Sequence, residues 1–298
     1  MSRARARSMV HGSVLLQAIM QGVLLGGVFS LIAVGLTLVF GVMRILNFAH
    51  GELVNLGMYG AYLLFVAAGV DPYLGAALSI PVFLLAGAVI YRTLLQPILS
   101  APEDMQLVMT FGLMIVLSNL VQLLFGADLL SIRIGFLDRI LATPVGSFRV
   151  GLLLAFVTSV AVLSALLWFI RSTDTGKAIR ATADDRRGAL AVGLNVQRVY
   201  LIAFALSVAC AGIAGSAIAG FLPLTPGRGV QFVLVAIVVV VLGGMGSFVG
   251  SLAGGLVVGL SQSVGEIFLS GTLSSALSLG LVIVILLMRP SGFFGARA

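Results

Sequence analysis

Charge is what this 298-residue sequence has least of: Asp, Glu, Lys and Arg make up 9% of it, against 60% apolar residues. A soluble domain carries about 25% charged residues, so a water-facing surface of ordinary composition is excluded. Cysteine is reduced to Cys210, which rules out an intrachain disulfide and, inside an apolar run, reads as inert packing. Only two histidines occur, His11 and His50, and their spacing excludes a His-Glu-x-x-His metal site. No Gly-x4-Gly-Lys-Ser/Thr sequence is present, so this chain does not hydrolyse ATP through a P-loop. Ser247 follows Gly246, but the order Gly-Ser-Phe-Val-Gly and the lack of a later histidine exclude an intramembrane serine hydrolase.

What is there comes in long apolar runs. Cutting the chain at every charged residue leaves eight uncharged stretches of at least 18 residues: 8–43, 53–70, 72–91, 105–127, 150–170, 199–227, 229–265 and 267–288. A helix needs about 20 apolar residues to cross a ~30 Å hydrocarbon core, so six of them match one span each. The first and seventh, at 36 and 37 residues, are too long. Lys and Arg collect in short cytoplasmic loops, and this bias sets the count. If both long stretches cross twice or turn back, thirteen of the 17 basic residues share one side, against Arg133, Arg139, Arg149 and Arg228 on the other. The expectation is an all-α, polytopic helical bundle of about 8–10 membrane segments, some broken or re-entrant, with both termini cytoplasmic. Arg3, Arg5 and Arg7 resemble a signal-peptide n-region, but a 36-residue uncharged run exceeds a cleaved h-region, so the first span reads as uncleaved. The net charge of +7 follows from this topology and calls for no nucleic acid.

The chain reads as one membrane domain, 1–298, without linker or low-complexity tail. Three parts stand out: a first span region, 12–49; a basic loop, 171–198; and a Gly-rich broken region, 229–265. Among the 37 glycines, pairs such as Gly22/Gly26 and Gly250/Gly254 have small-xxx-small spacing, which lets helix backbones approach in lipid. Glycine-interrupted segments at 35–52 and 242–250 occupy corresponding early and late positions, the pattern of broken helices that line a path. Asn47, His50 and Glu52 form the densest polar cluster beside apolar sequence, and two readings stand. They cap and pair at an interfacial turn, or they face a translocation path. Gly243, Gly244 and Ser247 are candidates for the same path.

The basic loop carries an ordered mixture. Ala178, Ile179, Ala181, Ala183, Ala189, Leu190 and Val192 alternate with Lys177, Arg180, Asp184, Asp185 and arginines, and Gly193 with Asn195 closes the run as at a left-handed cap. An amphipathic helix parallel to the membrane suits docking into a groove on another protein; a lipid-surface helix is the alternative.

The run Gly-Leu-Thr-Leu-Val-Phe-Gly-Val-Met-Arg-x2-Asn-Phe-Ala-His-Gly-Glu at 35–52 resembles the signature of branched-chain amino acid permeases of ATP-binding-cassette importers. Gly-Lys-Ala-Ile-Arg-Ala-Thr-Ala-Asp at 176–184, Gly-Leu-Asn at 193–195 and Leu-Gly-Gly-Met-Gly-Ser-x2-Gly at 242–250 are collinear further matches. The resemblance runs from about residue 14 to 295 and is to the H-type permease, with Ser251 where the family often has alanine. It implies a subunit of the bacterial inner membrane without catalysis or cofactor of its own. Its implied partners are a homologous permease, two cytoplasmic ATP-binding subunits and an extracytoplasmic solute-binding protein. By position, Gly176, Lys177, Arg180, Asp184, Gly193 and Asn195 would couple to the ATPase. The implied cargo is a branched-chain amino acid, with amides or urea as the alternative within the family. A stand-alone secondary carrier would place carboxylates within its spans, and the uncharged stretches hold none.

Overall fold

The computed structural model describes residues 2–143 and 146–269, with residues 273, 280, 284, 287, 289 and 292–294 beyond them. Apolar runs become helices because the bilayer offers backbone groups no other partners. These helices are α1 (Ser2–Met43), α2 (His50–Ala68), α3 (Pro72–Ile90), α4 (Glu103–Phe125), α5 (Val150–Ser172), α6 (Asp174–Asp184), α7 (Arg186–Ala191), α8 (Val196–Ala219), α9 (Arg228–Gly243) and α10 (Phe248–Phe268). A hairpin of β1 (Ile140–Thr143) and β2 (Gly146–Arg149) precedes α5, pairing antiparallel with Ile140 opposite Arg149. Among the described residues seven helices are long and apolar enough to cross a membrane, and α9, at 16 residues, is a shorter apolar one. The uncharged stretch 267–288 falls almost wholly outside the described residues past Leu269.

The first over-long stretch does not cross twice. It lies within the single 42-residue helix α1, whose apolar part Val14–Met43 spans about 45 Å at ~1.5 Å per residue. The glycines that read as interruptions are contact points instead. At Gly22 and Gly26 a Cβ would meet the backbone of Leu260 and Leu256, and at Gly27 the ring of Phe156. Small side chains here let α10 lie antiparallel against α1 at close range. The second over-long stretch does break, at a turn over 244–247 between α9 and α10, where Gly244 and Gly246 take φ of 98° and 88°.

Cross-contacts fix two ends of the bundle. At one, Tyr73 Oη donates to the Gly151 carbonyl, Gln17 Nε2 to Ser147 O at 3.4 Å and Ser263 Oγ to Ala18 O at 2.8 Å. Leu130 and Leu224 exchange backbone hydrogen bonds there as well. The other end holds α6 and α7, the link from α3 to α8 through Tyr91 Oη to Gln197 O at 3.2 Å, and the α9–α10 turn, where Gly246 lies against Gly41. Backbone N–H groups of Phe293 and Phe294 reach Leu242 O and Gly243 O at that α6 end. Since α1 crosses once, its start stands at the end opposite to α6 while residues 292–294 stand beside it. The unbroken α1 thus puts its own start and residues 292–294 at opposite ends of the bundle.

Two connections dip back into the bundle. Arg44 takes a left-handed φ of 58° and its N–H closes on Phe40 O at 2.9 Å, ending α1 at the α6 end. The chain then turns inward, because His50 Nε2 donates to Ile32 O at 2.8 Å, eleven residues or about 16 Å back along α1. From the opposite end, residues after Ala219 descend until Asn55 Nδ2 reaches Thr225 O at 3.5 Å. α2 and α9 thus both begin inside the bundle, against each other: a Cβ on Gly51 would overlap Gly229 O, and one on Gly229 would overlap the Glu52 carboxylate.

Candidate functional site

The basic loop folds as two helices where one was expected. Thr173 caps α6, its Oγ1 accepting from Gly176 N at 3.0 Å, and Asp185 breaks the helical run in an extended conformation while its Oδ1 accepts from Arg187 N at 2.8 Å to start α7. An Asp that can bond the backbone two residues on offers an alternative to continuing the helix. Gly193, at φ 82°, ends α7 one residue past its C-cap, and Asn195 Oδ1 accepts from Arg198 N at 3.0 Å to start α8. Gly193 takes the left-handed stop expected of it, and Asn195 serves the start of the next helix rather than the stop.

α6 is two-faced. Gly176, Ile179 and Thr182 are buried against the bundle, and Gly176 has no room for a side chain because the backbone of Phe169 and Ile170 fills the space. Lys177, Arg180, Ala181 and Asp184 are exposed, at spacings of three and four that place them on one face. Lys177 Nζ pairs with Asp174 Oδ1 at 2.9 Å, a hydrogen bond that holds this exposed carboxyl below its ordinary range. The apolar residues expected to form the contact face divide. Ile179 and Ala189 turn inward, while Leu190 and Val192 stand 53% and 77% exposed beside the charged stripe. Gly176 is therefore a packing residue that seats α6, and Lys177, Arg180 and Asp184 are the ones available to a partner.

Asn47, His50 and Glu52 are all buried, at 1%, 0% and 0% exposure. Asn47 Oδ1 accepts from Ala49 N at 3.1 Å, and Thr110 Oγ1 of α4 donates to Leu46 O at 3.2 Å, which pins the inward turn. Glu52 Oε2 accepts from Asn55 Nδ2 at 3.3 Å, while Glu52 Oε1 and His50 Nδ1 have no hydrogen-bond partner. The Glu52 carboxylate sits against Gly229 in the first turn of α9, where the N–H groups and dipole of a short helix favour an anion. Gly243, Gly244 and Ser247 lie at the far end of α9, about 20 Å away along the helix. There Gly243 and Gly250 touch backbone to backbone, and Ser247 Oγ accepts from Gly250 N at 3.0 Å to cap α10. Ser251 Oγ bonds Thr37 Oγ1 of α1. The two glycine-rich segments therefore meet at Gly41 and Gly246, while Glu52 stands about 20 Å from Gly243.

A feature that sequence reasoning missed is a cavity of about 930 Å³ at the end opposite to α6, between α1, α9, α10 and the β-hairpin. Helix register orders its walls. Contacts of Gly243 with Gly250 and of Gly254 with Val239 align α9 antiparallel to α10, and continuing by whole turns pairs Val235 with Val258 and Gln231 with Gln262. The α1 contacts at Gly22 and Gly26 bring Gln21 to the level of Gln262, and Leu25 to that of Val258, in the same way. The lining brings Arg149, Arg228 and Glu266 together with Gln17, Gln21, Gln231 and Gln262 and with apolar residues such as Leu25, Val235 and Val258. The sequence does carry the signal. Gln17 and Gln21 lie a helical turn apart inside one over-long apolar stretch, and Gln231 and Gln262 interrupt the other; polar groups within spans face protein or water.

Comparison with known proteins follows the same architecture. The family model described as branched-chain amino acid transport system / permease component matches residues 18–286. The high-affinity branched-chain amino acid transport system permease protein LivH of Salmonella typhimurium is 31% identical over 94% of this chain and 95% of its own. Its counterpart BraD of Pseudomonas aeruginosa is 29% identical over the same shares. A probable LivH of Methanocaldococcus jannaschii is 27% identical over 89% of this chain and 88% of its own. With one continuous match from the first span into the last, the chain belongs to the branched-chain amino acid transport system permease family.

Proposed function

We propose that this chain is the membrane permease subunit of an ATP-driven importer of branched-chain amino acids in the bacterial inner membrane. It would pair with a homologous permease, two cytoplasmic ATP-binding subunits and an extracytoplasmic binding protein. The observation that carries the reading is the exposed stripe Lys177, Arg180 and Asp184 on α6, a helix outside the spans of a chain whose relatives are transport permeases. A helix seated on the bundle by Gly176, Ile179 and Thr182 is a rigid lever: a push on its outer face passes into α5 and α8 through packed contacts rather than being lost in a flexible loop. On this reading the α6 end is cytoplasmic, six of the 17 basic residues lying in residues 171–198. ATP-driven closure of the paired ATPases would draw the two α6 helices together and re-open the permeases toward the other side.

Tagged chain purified from its host should bring ATP-binding subunits with it, and vesicles containing the complex should take up L-leucine only with ATP on the α6 side. Uptake that proceeds without ATP, or that a sodium or proton gradient drives, would contradict the proposal.

A further inference from the structure

From the cavity opposite α6, we propose that this chain itself holds a solute-recognition site for an amino-acid zwitterion with an aliphatic side chain, Arg228 taking the carboxylate. The proposal rests on the importer reading and places its cargo on named residues.

Arg228 lines the cavity half-buried at the first turn of α9. Its Nε donates to Thr225 Oγ1 at 3.2 Å, and no carboxylate among the described residues lies within 4 Å of it, since the ion pair found there is Lys177 with Asp174. A guanidinium kept partly out of water without a counter-ion is costly unless an anion visits it. Its planar fork matches a carboxylate through two parallel N–H bonds.

The second charge of a zwitterion finds its match in the same cavity, which Glu266 lines from α10. Gln21, Gln231 and Gln262 add amide groups, which serve either charge without a net charge of their own. Leu25, Val235 and Val258 add apolar wall from α1, α9 and α10, where a branched aliphatic side chain leaves water. Charges of both signs, amides and apolar wall in one cavity are the complement of a branched-chain amino acid. The cavity also has room to spare, about 930 Å³ within the ~300–1,000 Å³ of small-molecule sites, so the solute enters with water around its charged end.

Cys210 is the chain's one cysteine and is buried, so an introduced cysteine reports alone on the band of this chain. In the intact complex, Gln231→Cys should react with a small maleimide at a rate that millimolar L-leucine slows at least threefold and leucinamide, which lacks the carboxylate, does not. Adding Arg228→Gln should abolish the protection, and Arg228→Lys should retain part of it, while ATPase subunits still co-purify with both. A labelling rate indifferent to L-leucine, or equal protection with Arg228→Gln, would overturn the site even if ATP-dependent uptake is normal. Protection by L-leucine lost in Arg228→Gln would uphold the site even in a preparation whose uptake ignores ATP, where only the importer reading would fall.

Discussion

Gly51 and Gly229 show how much a single missing methyl group positions in this protein. Their backbones meet where α2 and α9 both begin inside the bundle, and neither site has room for a Cβ. Gly51→Ala should therefore cost about 1–3 kcal/mol through overpacking, seen as a lower unfolding midpoint of the detergent-purified complex. Gly60→Ala, with open space around its Cβ position, should leave the midpoint unchanged or raise it. Gly246 is constrained differently, by its φ of 88° in the α9–α10 turn. Gly246→Ala should lower the same midpoint by the ~1 kcal/mol or more that a side chain costs at positive φ. Equal midpoints for Gly51→Ala and Gly60→Ala would contradict the close approach of the two half-buried helix starts.

The element that matters most is α6, with an inward face that seats it and an outward face free for a partner. Substitutions on the two faces should separate cleanly. Ile179→Asp places a carboxylate where Ile179 is 1% exposed and should unseat α6, lowering stability by more than about 2 kcal/mol. Arg180→Ala combined with Asp184→Ala should leave the unfolding midpoint within about 0.5 kcal/mol, as exposed changes do, and reduce ATP-driven L-leucine uptake at least tenfold. The place and stop of this segment were legible in its charge density, Gly193 and Asn195. Its division at Asp185 was not, because an Asp can cap as readily as it can sit in a helix. The outward direction of Lys177, Arg180 and Asp184 needed the packing of Gly176 and Ile179 on α5 to become visible.

At the scale of the whole molecule, the helical membrane class was plain from composition, and the path of the chain was not. Run length alone could not tell an unbroken α1 from two short helices, since its glycines serve contact with α10 and α5 rather than a turn. Asn47, His50 and Glu52 were legible as an unusual cluster, but their burial against Ile32, Asn55 and the start of α9 depends on residues far away in sequence. The cavity was hidden for the same reason: its glutamines come from three helices. The single crossing of α1 predicts that an N-terminal tag lies on the same side of the membrane as a cysteine placed at Arg139 in the hairpin, and opposite to one at Arg187. Protease protection and impermeant thiol labelling of oriented vesicles measure this; a tag on the side of Arg187 would mean that α1 does not cross once.

The most direct test of the central claim, that the outer face of α6 is where an ATPase engages the permease, is a crosslinking scan along that helix. Single cysteines at 177, 179, 180, 182 and 184, in a Cys210→Ser background and in the intact complex, are labelled with maleimide-benzophenone and irradiated, so that the photoactivated ketone inserts into a C–H bond of whatever lies beside it. Positions 177, 180 and 184 should crosslink to the ATP-binding subunit, and 179 and 182, turned into the bundle, should not. Crosslinks that ignore this face, or that are absent from all three outward positions in a complex still taking up L-leucine with ATP, would contradict it.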